Sequence, residues 1–188
     1  MNWSFSEIRA LSLKAARGSG LEWGQAEEVA HSILWLQERN INGVAALSDY
    51  LEWRSNDAKF DLKADPLILG SIIRDLNSWA GYFPRSIIQP ILLLPAIAVT
   101  LGDNECVQCT WSNNEILLQK DALLINCMSM QQGIKPIAFD LKYIDQTLEA
   151  NELLSRVHSD DQTHFRTLEQ FAHKTYAPAT EDSRNAGA

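Results

Sequence analysis

Hydrophobic residues in the first part of the chain recur with the spacing of α-helices. Ser4 and Glu7 have the Ser-x-x-Glu spacing of a capping box, so the first helix is predicted to begin at Phe5. Gly18 stands where a helix-ending glycine is expected. The apolar positions predicted to share one face of this helix are Ile8, Leu11, Ala15 and Ala16.

Three more helices are predicted before residue 84. The second runs from about Trp23 to Arg39, and the third from Val44 to about Trp53. Asp65-Pro66 is an N-cap followed by proline at the first helical position, so a fourth helix is predicted to begin there and to end before Gly81. The tryptophans of this part are expected to anchor helix packing, since large aromatic side chains dominate buried area. They are Trp23, Trp35, Trp53 and Trp79.

Branched apolar residues replace the helical pattern after residue 84. Runs such as SIIQPILLLPAIAVT, ECVQCTW and EILLQK predict four to six strands between about Ile87 and Tyr143. Ser112-Asn113-Asn114 has the composition of a tight hairpin turn between two of them. The run from Ile91 to Val99 is predicted to be a strand covered on both faces.

A last helix is predicted near the end of the sequence, capped by Asp160-Asp161 and continuing to about Tyr176. Its expected inward positions are Phe165, Leu168, Phe171 and Ala172. The order of elements predicts an α+β fold with an N-terminal helical bundle, a mostly antiparallel sheet, and a C-terminal helix and tail. The corresponding parts are residues 1–84, 85–145 and 146–188, which we expect to form one compact domain.

Charge and composition limit the binding partners and the cellular compartment that we expect. The 188 residues carry a formal net charge of −8, which argues against nucleic acid and anionic membranes as partners, because both bind basic surfaces. Glu7 and Arg9 interrupt the first apolar stretch, so a signal peptide is not expected. Three cysteines, an odd number, favour a reducing compartment. We therefore expect a soluble cytoplasmic protein.

The predicted strand from Ile91 to Val99 also bears on partners. A strand this apolar needs cover on both faces, and the chain offers few helices to provide it. We therefore expect self-association as a homo-oligomer, a dimer first of all, or docking on a partner protein.

The stretch RGSGLEWG, residues 17–24, raises the question of a phosphate-binding loop. Its glycines, Gly18, Gly20 and Gly24, do not have the G-x-G-x-x-G spacing of dinucleotide-binding loops, and a helix precedes them where a strand is required. A connection between two helices is the favoured interpretation. The alternative is that unpaired N–H groups at the start of the second helix hold an anion, with Arg17 beside them.

Cysteines, histidines and aspartates are the candidate residues for a metal or redox site. Cys106 and Cys109 have zinc-site spacing, but no second Cys-x-x-Cys accompanies them, and buried thiols, with Cys127 also reduced, are favoured. The histidines and aspartates of the C-terminal part match no common metal motif. They are His158, His164, His173, Asp160 and Asp161. No metal site and no cofactor is predicted.

Both ends of the chain resemble a bacterial family of unknown function, domain of unknown function 3726. Its members share a helix ending K-A-A-R-G-x-G, then W-G-x-A-E-E and W-L, which residues 14–20, 23–28 and 35–36 match. The family's Y-x-P-[AS]-x-x-S-R-x-x-G-A ending is matched by Tyr176, Ser183 and Arg184 among others. The resemblance implies a family but no activity.

Residues 26–53 are also similar to the N-terminal helices of the malate/L-lactate dehydrogenase family that is not of Rossmann type. In that family a Ser-His-Gly follows the second helix, and its histidine is the proposed proton donor or acceptor. Here Asn42-Gly43-Val44 occupies that place, so only the backbone pattern, the helix spacing and Tyr50 carry over.

Two functions are open from these observations. The first is a self-associating or partner-dependent accessory subunit in small-molecule metabolism. The second is an enzyme acting on a small anionic metabolite, a carboxylate or a phosphate, with a dehydrogenase-like activity as one option. The sequence does not decide whether the protein is an enzyme, and no catalytic residue is assigned. Arginine forks suit such anions. The candidate ligand-binding residues are Arg17, Gly18, Gly20, Gly24, Glu28, Tyr176, Ser183 and Arg184.

Overall fold

A computed structural model shows the α+β fold that the sequence predicts. It describes residues 2–56, 64–79, 86–126, 136–150, 152–154, 157–158 and 162–175. The helices are α1 Phe5–Gly18, α2 Trp23–Glu38, α3 Gly43–Asn56, α4 Pro66–Leu76, α5 Leu94–Thr100 and α6 Thr163–His173. The strands are β1 Asn2–Trp3, β2 Ser86–Ile87, β3 Cys106–Trp111, β4 Asn114–Leu118, β5 Leu123–Asn126, β6 Ile137–Ile144 and β7 Val157–His158.

Helix α1 begins at its predicted capping box. The Ser4 backbone N–H donates to the Glu7 carboxylate at 2.8 Å, and the Glu7 N–H donates to the Ser4 hydroxyl at 3.3 Å. Among the turn's glycines the left-handed residue is Gly20, with φ of 92°, and Gly18 is instead the last residue of the helix. The helix therefore ends at Gly18 as predicted, and the left-handed conformation falls two residues later, at Gly20.

Gly18 matters because it lets α1 and α6 approach closely. A Cβ atom at position 18 would lie 1.8 Å from the carbonyl oxygen of Phe171 on α6. Only a residue without a side chain fits against another backbone in this way. Helix α1 therefore packs against both α2 and α6, and its C-terminal end meets the C-terminal end of α6.

The predicted Asp65 cap of α4 and the predicted inward face of α6 are also present. The Asp65 carboxylate accepts the N–H groups of Leu67 and Ile68 at 2.9 and 3.3 Å, and α4 ends before Asn77, whose φ is 47°. In α6, whose N-cap is Gln162, the expected inward positions Phe165, Leu168, Phe171 and Ala172 are all buried. Asp160 and Asp161 lie outside the described residues.

The prediction of a strand from Ile91 to Val99 is wrong. After β2 the chain forms a short 3₁₀ turn, Pro90–Leu93, that leads directly into α5. Pro90 and Pro95 lie in the first turns of these segments, where the missing N–H costs nothing and the fixed φ suits a helix. A continuous apolar run carries no period that separates a buried helix from a buried strand.

This correction removes the physical basis of the predicted dimer. Residues 91–98 are buried within the chain itself, where the 3₁₀ turn and α5 pack against α2, α3 and α4. Of this run only Val99 is exposed among the large hydrophobic residues. Self-association stays a prediction, now without the argument from an uncovered strand.

The main sheet is antiparallel, with the strand order β2–β6–β3–β4–β5. A two-residue turn, Ser112–Asn113, joins β3 to β4 where the hairpin was predicted, and Ser112 has φ of 50°. A separate pair of two-residue strands, β1 and β7, was not predicted, since segments this short carry no alternation. Within the described residues no helix is both long and apolar enough to cross a membrane.

Replacing Gly18 should destabilise the protein far more than replacing Gly24. We expect Gly18→Ala to lower the free energy of unfolding by about 2 kcal/mol, because the new methyl group must force two backbones apart. Gly24, in the first turn of α2, has open space around its Cα, so Gly24→Ala should be neutral or stabilise by up to about 0.5 kcal/mol. Urea unfolding of both variants measures the difference, and equal stabilities would contradict the packing described here.

Candidate functional site

A cavity of about 550 Å³ opens where α1 ends, α2 begins and α6 ends. Three of its lining side chains are cationic, and none of the described residues that line it is acidic. We call it the basic cavity. Its lining residues are Leu13, Lys14, Arg17, Trp23, Lys174 and Thr175.

Arg17 is held in place from two sides. Its guanidinium donates a hydrogen bond to the carbonyl oxygen of Leu21, and it lies over the indole ring of Trp23, 4.9 Å from the ring centroid. Trp23 is 61% exposed, so it does not anchor the helix core as predicted but forms a wall of the cavity. A guanidinium has five N–H donors, and one bond to Leu21 leaves others for a ligand.

Two lysines bring further positive charge to the same cavity. Lys14 precedes Arg17 by three residues, a spacing that places both side chains on one face of α1. Lys174 follows the end of α6, with its ammonium 4.2 Å from the centroid of the Phe171 ring. The close contact of Gly18 with Phe171 brings these two helix ends together.

The start of α2 does not offer the anion site that the sequence suggested. Glu22 is the N-cap residue, so a negative charge already stands at this helix terminus. The Glu22 backbone N–H donates to the side-chain oxygen of Gln25 at 3.3 Å. The cationic side chains of the basic cavity, rather than the helix terminus with Gly20 and Gly24, are therefore the groups suited to an anion.

Glu28 was predicted to belong with Arg17, and the structure places it elsewhere. Its carboxylate accepts a hydrogen bond from Ser71 at 2.5 Å and lies 3.4 Å from Nη1 of Arg74. The other Arg74 nitrogen, Nη2, donates to Ser32 at 2.6 Å. Glu28 therefore connects α2 to α4 and does not line the basic cavity.

The predicted tail residues Tyr176, Ser183 and Arg184 lie outside the described residues. The last described residue before them, Thr175, itself lines the basic cavity. Their contribution to a ligand site stays a prediction.

The cysteine and histidine candidates have other surroundings. Cys106 and Cys109 are free thiols buried in β3, and burial raises the pKa of both, so neither is prone to form a thiolate. Cys127 lies outside the described residues. His164 lies 3.5 Å from the carboxylate of Asp49. Across the described ranges, no group of three or more His, Cys, Asp or Glu side chains could hold a metal ion.

Of the residues that line the basic cavity, Arg17 is a ligand-binding candidate from the sequence, whereas Lys14, Trp23 and Lys174 are not. The spacing of Lys14 and Arg17 on one helix face was a usable signal. Lys174 is about 160 residues away along the chain and joins them only through the docking of α6 on α1, which no local pattern encodes.

Comparison with known proteins identifies the N-terminal part. Residues 3–77 match the model of DUF3726, described as a protein of unknown function. The match covers the helices α1 to α4 and leaves the rest of the chain unmatched. The DUF3726 match contains Lys14, Arg17 and Trp23 of the basic cavity, whereas Lys174 lies beyond it.

No curated protein and no solved structure matches the chain. The similarity to the malate/L-lactate dehydrogenase family is therefore not supported. Tyr50, which carried part of that similarity, is fully buried and accepts a hydrogen bond from Arg54 at 3.2 Å. Burial raises the pKa of its hydroxyl well above the ordinary value, because Tyr50 lies in the core of the N-terminal helices.

We predict that Glu28 stabilises the fold through its contact with Arg74. We expect Glu28→Ala to lower the free energy of unfolding by about 1–2 kcal/mol, because it leaves the partly buried Arg74 without its carboxylate partner. Glu27→Ala is the matched control, since Glu27 is exposed on the same helix, and it should change stability by less than about 0.5 kcal/mol. Thermal unfolding of both variants tests this, and a Glu28→Ala protein as stable as the control would contradict the assigned role.

Proposed function

We propose that the protein binds a small anionic ligand, a carboxylate or a phosphate, in the basic cavity. The observation that carries this proposal is the convergence of Lys14, Arg17 and Lys174 on one cavity whose described lining contains no carboxylate. Charge-assisted hydrogen bonds from arginine and lysine are among the stronger polar contacts available to such anions.

The size and wider charge of the molecule support a small ligand rather than a polyanion. A volume of about 550 Å³ lies in the range of small-molecule sites. The chain as a whole carries a net charge of −8, so an extended anion such as a nucleic acid would be repelled outside the cavity. The positive charge is therefore local, which favours a compact anion.

The lining also favours binding over chemical conversion. Protonated lysine and arginine side chains hold anions but do not accept protons, and Trp23 offers a flat apolar face for stacking. This supports the accessory role in small-molecule metabolism that the sequence suggested, in which the protein holds a metabolite for another protein or responds to it.

Substitution of the cavity arginine or lysine should weaken anion binding. We expect Arg17→Ala and Lys174→Ala each to lower the affinity for inorganic phosphate or succinate on the order of tenfold, through loss of one charge-assisted contact. Isothermal titration calorimetry at constant ionic strength measures this, because added salt alone screens exposed charges.

Arg166→Ala is the matched control for these variants. It removes one positive charge from the exposed surface of α6 and does not line the cavity. The control should retain the affinity of the unmodified protein. Equal losses in all three variants, or no binding of either anion at millimolar concentration, would contradict the proposed site.

Arg184 provides a separate test of the predicted tail contribution. If its guanidinium reaches the ligand, Arg184→Ala should also lower phosphate affinity, on the order of tenfold, with no change in the free energy of unfolding. The same calorimetric titration measures this. An affinity equal to that of the unmodified protein would remove Arg184 from the site while leaving the basic cavity intact.

A further inference from the structure

A second cavity lies between α2, α4, α5 and the turn from β4 to β5. Its volume is about 440 Å³, and it shares no lining residue with the basic cavity. Its lining combines apolar surface from Trp35, Pro95 and Val99 with cations and carboxylates; the charged residues are Arg39, Arg74, Lys120, Glu38 and Asp121. We call it the Arg39 cavity.

Arg39 is the cation of this cavity whose polar groups are least satisfied. Its side chain is only 7% exposed, and its guanidinium lies over the Trp35 ring, 4.1 Å from the centroid. Nη1 donates to the Trp35 carbonyl oxygen at 3.2 Å, whereas the buried Nε has no hydrogen-bond partner. Buried donors in native proteins nearly always have a partner, so an orphan nitrogen on a cavity-lining side chain indicates a missing one.

The charge of Arg39 is also poorly compensated. Its one ion pair among the described residues, with Glu38, has a distance of 3.9 Å from Nη1, at the outer limit of such a contact, and Asp121 acts on it only from farther away. The other two cations have closer partners: Arg74 lies 3.4 Å from Glu28, and Lys120 lies 2.9 Å from Asp103. Arg39 is therefore the group in this cavity with most to gain from an added anion.

We infer that the Arg39 cavity binds a small organic monocarboxylate. The carboxylate would contact the Arg39 guanidinium, and the apolar body of the acid would lie against Pro95 and Val99. Inorganic phosphate would leave the apolar surface without a partner. A di- or tricarboxylate would meet Glu38 and Asp121, which also line the cavity. Both features select a single charge on an apolar body.

The test is an NMR titration with benzoate and isovalerate, compared with the neutral isostere benzamide, at constant ionic strength. Both acids should bind and perturb the indole N–H resonance of Trp35, assigned by its loss in Trp35→Phe, while benzamide binds at least about tenfold more weakly. The inference is overturned if neither acid binds at concentrations up to about 10 mM, or if benzamide binds as tightly as benzoate.

Val99 supplies a matched pair of variants. It is 57% exposed at the edge of the cavity, so charged replacements should fold normally. Val99→Glu should weaken benzoate binding about tenfold through like-charge repulsion, and Val99→Lys, of similar length and opposite charge, should retain or strengthen it. Equal effects of the two variants overturn the inference. Arg17→Ala should leave benzoate affinity unchanged at this site, which separates the result from the fate of the basic cavity.

Discussion

The close approach of α1 and α6 at Gly18 is the constraint on which the arrangement of the candidate site depends. With no side chain at position 18, the carbonyl oxygen of Phe171 can lie where a Cβ would otherwise stand. The two helices then end side by side, and Arg17 and Lys174 reach the same cavity. A glycine that raised the question of a phosphate-binding loop thus acts through helix packing.

A second constraint is the apolar run from residue 87 to residue 98, which fills the core between the helices. The helices α2, α3 and α4 pack against the 3₁₀ turn and α5, so this run forms the buried centre of the helical part. Its burial inside a single chain explains why so apolar a sequence does not need a second subunit to cover it. The Arg39 cavity lies at the edge of this packing, where Pro95 and Val99 of α5 face the end of α2.

Much of the fold could be predicted because local chemistry determines it. The Ser4–Glu7 capping box and the Asp65-Pro66 helix start are satisfied by neighbours a few residues away, so the sequence identifies them. The inward face of α6 follows from its spacing alone. The helical state of residues 90–100 could not be predicted in this way, since every position from 90 to 99 is apolar and tertiary packing decides between helix and strand.

The residues of the two cavities also divide into those that local sequence indicates and those that it does not. Arg17 was identifiable from its position before the glycine turn, and Lys14 from its spacing to Arg17. Lys174 and Arg39 were not, because each lines a cavity whose other lining residues come in part from distant segments of the chain. Glu28 was misassigned for the same reason: its partners Ser71 and Arg74 lie more than 40 residues away.

The most direct measurement of the central claim is a map of backbone and indole N–H chemical shifts during a titration with inorganic phosphate at constant ionic strength. If the contact at Gly18 assembles an anion site, the perturbed signals will cluster at the end of α1, at Trp23 and at Lys174 and Thr175, and will saturate together with one dissociation constant. Shifts scattered over exposed lysines and arginines, without saturation or a common constant, would contradict it.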